Sequence, residues 1–298
     1  MGITNNCVKF LAYSHQSGID FKKTVMLGRQ RLYADFNFVN RILSKVEINV
    51  LLKTNEEFAE SLFQALGAME VDSLDLSDFE GANIQHDLNT PIPEKLKGQY
   101  SAVFDGGTLE HVFNYPMAIQ NCMNMLEQGG HLISITPANN QCGHGFYQFS
   151  PELYYSMEHF TRCLKVKAMF LAVFENGGIK EWFEVMDPMK AKSRVAVVNN
   201  RPTYMMVVIE KTDEFSMGTT YPYQTDYNEA WSSFEDSEPE GISNLKKGIR
   251  LLVPEFIRNI VYKIRSRKNL KTVNGLGKVD PAHFTRRKPE DYFQHNYD

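Results

Sequence analysis

Residues 100–137 read YSAVFDGGTLEHVFNYPMAIQNCMNMLEQGGHLISITP, and their pattern decides the architecture. SAVFD (101–105) is a short, mostly apolar run, as expected of a strand buried on both faces. Gly106 and Gly107 follow at once, then Leu109-Glu110-His111. MAIQNCMNML (117–126) predicts a helix that stops at Gly129-Gly130, and HLISITP (131–137) predicts the next strand. A strand, a helix and a second strand in this order form a βαβ unit, whose strands run parallel. The stretch also poses a chemical question. Two glycines, a carboxylate and an imidazole stand together where a buried strand ends.

Working outward, the alternation continues. TVMLG (24–28) predicts a buried strand ending at a glycine, and DFNFVNRILSK (35–45) has apolar residues at helical spacing. TNEEFAESLFQALGAM (54–69) predicts a helix capped by Thr54 or Asn55 and ended by Gly67. VDSLDL (71–76) and ANIQHDLN (82–89) predict strands, the second closed by Pro91 and Pro93. Downstream, SPELYYSMEHF (150–160) predicts a helix with Ser150 as cap and Pro151 in its first turn. VKAMFLAVFE (166–175) and PTYMMVVIEK (202–211) predict an antiparallel pair at one sheet edge, with 176–201 as a long connection. The first twenty residues carry no clear period. Residues 1–211 therefore predict an α/β, Rossmann-like domain: a mostly parallel sheet with an antiparallel edge hairpin and helices on both faces.

Residues 212–298 differ and predict a linker followed by a basic, amphipathic helical appendage. LKKGIRLLVPEFIRNIVYKIRSRKNLK (245–271) carries nine Lys or Arg against one Glu. Such a helix either lies on an anionic membrane surface or packs on its own domain with its charges solvated. The whole chain of 298 residues has a formal net charge of −4, which excludes a general nucleic-acid binder. Its four cysteines form no CxxC pair, as expected of free thiols in a reducing compartment. No apolar run reaches the roughly 18 residues of a membrane span. These features predict a cytoplasmic protein, with peripheral membrane contact through 245–271 as the variant.

In an open α/β sheet, ligands bind beyond the carboxyl ends of the strands. Gly28, Asp75, Asp87 and Asp105-Gly106-Gly107 all fall there. A carboxylate ending the second strand suits a ribose diol, and one after the third suits an adenine amino group. Glycines remove side chains where a ligand would press on the sheet.

The order and spacing of these features resemble the class I S-adenosylmethionine (SAM) dependent methyltransferases. LEHV (109–112) is complete, and LEQGG (126–130) stands where that family commonly has LxPGG. The resemblance spans roughly residues 24–211. It implies SAM as cofactor, with Gly28 near its methionine moiety, Asp75 and Leu76 at the ribose, and Asp87 and Leu88 at the adenine. Asp105, Gly106 and Gly107 would line the methionine end. One departure stands out: in place of a GxGxG loop the first strand ends in MLGRQRLYAD (26–35). Either Arg29 or Gln30 holds the cofactor through its side chain, or the fold survives as an inactive binding or scaffold module.

Methyl transfer to a hydroxyl benefits from a base near neutral pKa, for which histidine is suited. Two histidines compete. His111 lies just past the glycines, and His144 lies between Gly143 and Gly145 in NNQCGHGFYQF (139–149). Tyr147 and Gln148 would wall a polar ring, which makes a saccharide hydroxyl the expected acceptor. Cys142-x-His144 with His111 or Cys163 is not a recognised ligand spacing, so no metal is expected. No GxSxG elbow marks a hydrolase, and GRQRLY is not a dinucleotide fingerprint.

Overall fold

The computed structural model describes residues 2–53, 56–175, 178–191, 194–215, 222–224, 271–273, 276–289 and 292. In chain order they form β1 (Gly2–Ile3), α1 (Asn5–Gln16), β2 (Lys23–Leu27), β3 (Arg31–Leu32), α2 (Phe36–Lys45) and α3 (Glu60–Ala65). Then come β4 (Glu70–Asp75), β5 (Ile84–Gln85), β6 (Tyr100–Asp105), α4 (Tyr115–Met125), β7 (Leu126–Asn139) and α5 (Pro151–Thr161). β8 (Leu164–Glu175), β9 (Gly178–Val185), α6 (Pro188–Ala191), β10 (Val197–Val198) and β11 (Thr203–Lys211) follow. β12 (Lys271–Val273), β13 (Gly277–Val279) and β14 (Phe284–Arg287) complete the described chain.

The main sheet has nine strands in the order β14-β9-β8-β11-β7-β6-β2-β4-β5. β5, β4, β2, β6 and β7 are mutually parallel. β11 runs antiparallel between β7 and β8. After β2 the chain steps one way through β4 to β5, and then returns to place β6 and β7 on the other side. The crevice between β2 and β6 is therefore the switch point at which such sheets bind ligands. The predicted Rossmann-like α/β class is the one observed.

Strand alternation builds two cores, one on each face. Val103, Leu132 and Val207 share one cluster, while Phe104, Ile133 and Val208 share the other. Burial on both faces explains why these strands read as continuous apolar runs. Trp182 of β9 is fully buried against Phe10 of α1 and Phe170 of β8, and its Nε1 donates to Asn6 Oδ1 at 2.9 Å. This aromatic group fixes α1 across the sheet.

Several expectations change. The first twenty residues contain a twelve-residue helix, α1, whose inner side buries Val8, Phe10, Leu11 and Ala12. The helix expected over 54–69 is only the six residues of α3. Phe58 instead bridges Arg31, and the Ala59 N–H donates to the Gln30 carbonyl. Thr54 and Asn55 lie outside the described residues. The strand over 82–89 shrinks to β5, because Asp87, Asn89 and Thr90 satisfy one another in a turn.

The β8–β11 pair is antiparallel, but it is not the edge of the sheet. β9, from the stretch expected to be a connection, and β14, from the expected appendage, extend the sheet further. β13 lies between β10 and β12 in a small separate sheet. The boundary at 211 thus does not separate the described strands of 271–287 from the sheet. Residues 245–270 of the basic stretch lie outside the described residues. Among the described residues, no helix is long and apolar enough to cross a membrane.

Candidate functional site

At the carboxyl end of β6 the chain turns sharply, and Asp105 organises the turn. Its side chain is fully buried. Oδ1 accepts from the N–H groups of Gly107, Thr108 and Leu109 at 3.3, 2.8 and 3.3 Å, and Oδ2 accepts from Ser134 Oγ at 2.6 Å. Burial raises its pKa, against the lowering effect of these donors. Asp105 was expected at the methionine end of a ligand. It points inward instead and caps the 3₁₀ turn Leu109–His111. Gly107, at φ +101°, makes the turn possible.

The turn delivers Glu110. This residue is 1% exposed, yet it borders a cavity of ≈ 650 Å³ together with Gly106, Gly107, Ile135 and His144. The remaining wall comes from the start of α1, from Tyr33, Asp35 and Phe38, from Phe174 and Ile179 at the β8–β9 hairpin, and from Tyr204. Glu110 Oε1 lies 3.2 Å from His144 Nε2, and Oε2 is buried without a hydrogen-bond partner. Burial, reinforced by the Asp105 carboxylate, pushes the Glu110 pKa up to about 8.

His144 reaches this position because its loop is pinned to the Glu110 backbone. The Glu110 carbonyl accepts from Phe146 N–H at 2.7 Å and from Tyr147 N–H at 3.3 Å. Gly145 sits at φ +73°, where a Cβ would stand 2.7 Å from that carbonyl oxygen and 2.9 Å from Glu110 Cγ. Only glycine lets the loop approach so closely. Asn140 anchors the other end, its Nδ2 donating to the Arg201 carbonyl at 2.9 Å.

Both candidate histidines therefore converge. The His111 and His144 ring centroids are 5.2 Å apart at an interplanar angle of 62°. His144 borders the cavity and is half exposed; His111 is exposed beside it and does not line the cavity. Burial, then the neighbouring His144, lowers the His111 pKa. Tyr147 and Gln148 do not border the cavity. Tyr147 Oη donates to the Phe113 carbonyl at 2.5 Å, and Gln148 Oε1 accepts from Gln141 N–H at 2.8 Å, so both brace the loop.

The other predicted ligand positions fan out along the sheet end. Gly28, at φ +69°, donates its N–H to the Leu74 carbonyl at 2.7 Å. Asp75 is half-buried at the end of β4, with Oδ1 accepting from Leu76 N–H at 2.6 Å; the Leu76 side chain is exposed. Asp87 Oδ1 accepts from Asn89 N–H and Nδ2, which holds its pKa below the usual carboxylate range. Leu88 is buried in the core.

Arg29 and Gln30 are committed to the protein. Arg29 Nε donates to Glu60 Oε1 at 2.6 Å, and its guanidinium stacks 4.0 Å from the Phe58 ring centroid. Gln30 is fully buried, and its Nε2 donates to the Leu27 carbonyl at 2.7 Å. A Cβ on Gly106 would meet Gln30 Oε1 at 2.8 Å, so the room that this glycine makes is taken by Gln30. Gln30 Oε1 itself has no hydrogen-bond partner.

Glu110 is the residue that the sequence reading missed. Its signal was the LEH tripeptide itself, since a carboxylate one residue before an imidazole at a ligand-facing strand end deserves a role of its own. The cysteines agree with the sequence reading, as all four are free.

No family model matches the chain, and no curated protein does. Solved structures similar to it include a candidate methyltransferase from Bacillus halodurans C-125, at 9% identity and a TM-score of 0.39, over 68% of this chain and 98% of that one. A candidate sarcosine dimethylglycine methyltransferase from Galdieria sulphuraria is 12% identical with a TM-score of 0.40, over 70% and 86% of the two chains. A branched-chain polyamine synthase from Thermus thermophilus, bound to N4-aminopropylspermidine and 5'-methylthioadenosine, is 12% identical with a TM-score of 0.36, over 73% and 59%. At such scores these likenesses decide nothing about chemistry, which the side chains must. By its own strand order, with the reversal between β2 and β6, the chain has the Rossmann-like α/β fold that the LEHV block implied.

Proposed function

We propose that the protein transfers the methyl group of SAM to a hydroxyl of a small polar acceptor, with a saccharide hydroxyl as the favoured class. The observation that carries this reading is the meeting of Glu110, His144 and the Gly106-Gly107 turn on the wall of one cavity beside the sheet's switch point. SAM supplies an electrophilic methyl on a sulfonium sulfur, and the protein's part is alignment and proton removal.

The residues present fit such a cofactor at two points. Gln30 Oε1 is a buried acceptor without a donor beside Gly106, suited to an ammonium group. Asp75 offers a half-buried carboxylate at the end of β4, suited to a ribose diol.

With Nε2 turned to Glu110, His144 would accept the acceptor's proton on Nδ1. In its ionised form, which gains ground as pH rises towards 8, Glu110 would stabilise the resulting imidazolium. Gly106, Gly107 and Ile135 would bound the space in which the acceptor oxygen lines up with the methyl, and SAM would supply that methyl and be left as S-adenosylhomocysteine (SAH). His111, whose ring packs edge-on to His144, would help to orient it.

Titration calorimetry of the protein with SAH tests the cofactor half. Binding in the micromolar range is the expected result, and transfer of labelled methyl to a panel of mono- and disaccharides then identifies the acceptor. A second reading, a binding module on this fold, is favoured by the engagement of Arg29 and Gln30 with the protein's own groups. No heat at millimolar SAH from folded protein would select it.

A further inference from the structure

The geometry points to a binding site for one divalent transition-metal ion made by Glu110, His111 and His144 at the wall of the cavity. The three side chains offer one carboxylate oxygen and two imidazole nitrogens, all within 4.8 Å of one another. Metal–ligand bonds of about 2.0–2.2 Å hold two ligands of one ion at most about 4.4 Å apart. Small rotamer adjustments would therefore close the set. His144 is half exposed and free to make them.

A second, independent observation points to a cation. Glu110 is 1% exposed, and its Oε2 has no partner. A buried carboxylate oxygen without a donor is costly, and a metal ion is one of the few groups that satisfies it. The oxygen belongs to a residue that borders the cavity, so an ion there would keep open positions facing the cavity. The donor set decides the class of ion. Two imidazoles and one carboxylate suit Zn²⁺, Co²⁺ or a similar first-row ion, whereas Mg²⁺ and Ca²⁺ prefer all-oxygen shells. With the ion bound, His144 would serve as a ligand in place of its role as base, and the ion's open positions would bind the acceptor hydroxyl and lower its pKa. That use rests on the methyltransferase reading; the binding itself does not.

Zn²⁺ titration of chelator-stripped full-length protein, without SAM or acceptor, tests the site directly. One ion per chain is expected, bound far more tightly than Mg²⁺. Co²⁺ should give visible d–d absorption that reports nitrogen ligation. His144→Ala and His111→Ala should each weaken Zn²⁺ binding at least tenfold, and the double variant should abolish it. Both side chains are exposed, so these variants should fold, which circular dichroism would check. The exposed Cys142 is the competing thiol nearby, and Cys142→Ser should leave binding unchanged. No stoichiometric Zn²⁺ in the parent protein would overturn the site. So would binding that survives the double variant, or that disappears with Cys142→Ser. Because SAH is absent from the experiment, its outcome is separate from that of the SAH titration.

Discussion

Two loops leave the same edge of the sheet and meet opposite fates. The loop after β2 fills itself: Gln30 occupies the space beside Gly106, and Arg29 is held by Glu60 and Phe58. The turn after β6, with the loop after β7, leaves a buried carboxylate oxygen unsatisfied and brings two imidazoles beside it. Each loop leaves one buried acceptor without a partner, a neutral amide oxygen at Gln30 and a carboxylate oxygen at Glu110, and the carboxylate is the costlier of the two to leave alone. The comparison therefore directs attention to the second pair of loops as the chemical end of the site.

The largest effect should come from removing the Glu110–His144 pair. His144→Ala and Glu110→Gln should each lower kcat for methyl transfer by about 10²–10⁴-fold, the usual contribution of a positioned acid–base group. SAH affinity, read by calorimetry, should change little, since the pair faces the acceptor. Comparable losses in SAH affinity would break the division of labour between the loops.

Next, Gly145→Val places a β-branched side chain at φ +73° against the Glu110 carbonyl. Strain and displacement of the loop should cost about 2–4 kcal/mol in denaturant unfolding, or else swing His144 away and abolish turnover. An unaffected enzyme would show that the loop is not pinned.

A smaller effect tests the first loop. Gly106→Ala should destabilise by about 1–3 kcal/mol through overlap with Gln30. In the background of Gln30→Ala the same change should cost much less, a coupling that a double-mutant cycle measures. Additive costs would mean that Gly106 makes room for something other than Gln30.

The smallest involves His131, whose Nδ1 is buried without a partner and whose pKa burial lowers. The unfolded chain then takes up the proton first as pH falls. Stability should be flat above about pH 6.5 and fall below it as the imidazole protonates. Replacing His131 by Gln should flatten that slope in unfolding curves taken between pH 5 and 7.

Much of the sheet was legible because strands buried on both faces appear as continuous apolar runs, and Val25, Phe104 and Ile133 all carry that signal. Elements held by distant partners were not. α1 is fixed by Trp182 and Phe170, more than a hundred and fifty residues away in sequence, and its own period is weak. β14 depends on finding β9. In the site, His111 and His144 were visible as residue types, but their meeting depends on Gly145 approaching Glu110, a contact across the fold. Asp105 misled for a physical reason. A carboxylate at a strand end can face a ligand or its own turn, and only the three N–H groups of 107–109 distinguish the two.

The pairing of β14 with β9, and the packing of Tyr292 against Tyr13 of α1 at 4.7 Å between ring centroids, has a consequence for biosynthesis. Thr4, Asn5, Asn6, Cys7 and Lys9 line one wall of the cavity and are translated long before β14 and Tyr292. The helix that carries them gains its last described support from Tyr292. During translation the parallel strands can assemble early, but the cavity wall is completed only when β14 and Tyr292 arrive. A nascent chain stalled before that point should therefore present a folded sheet with an unfinished pocket.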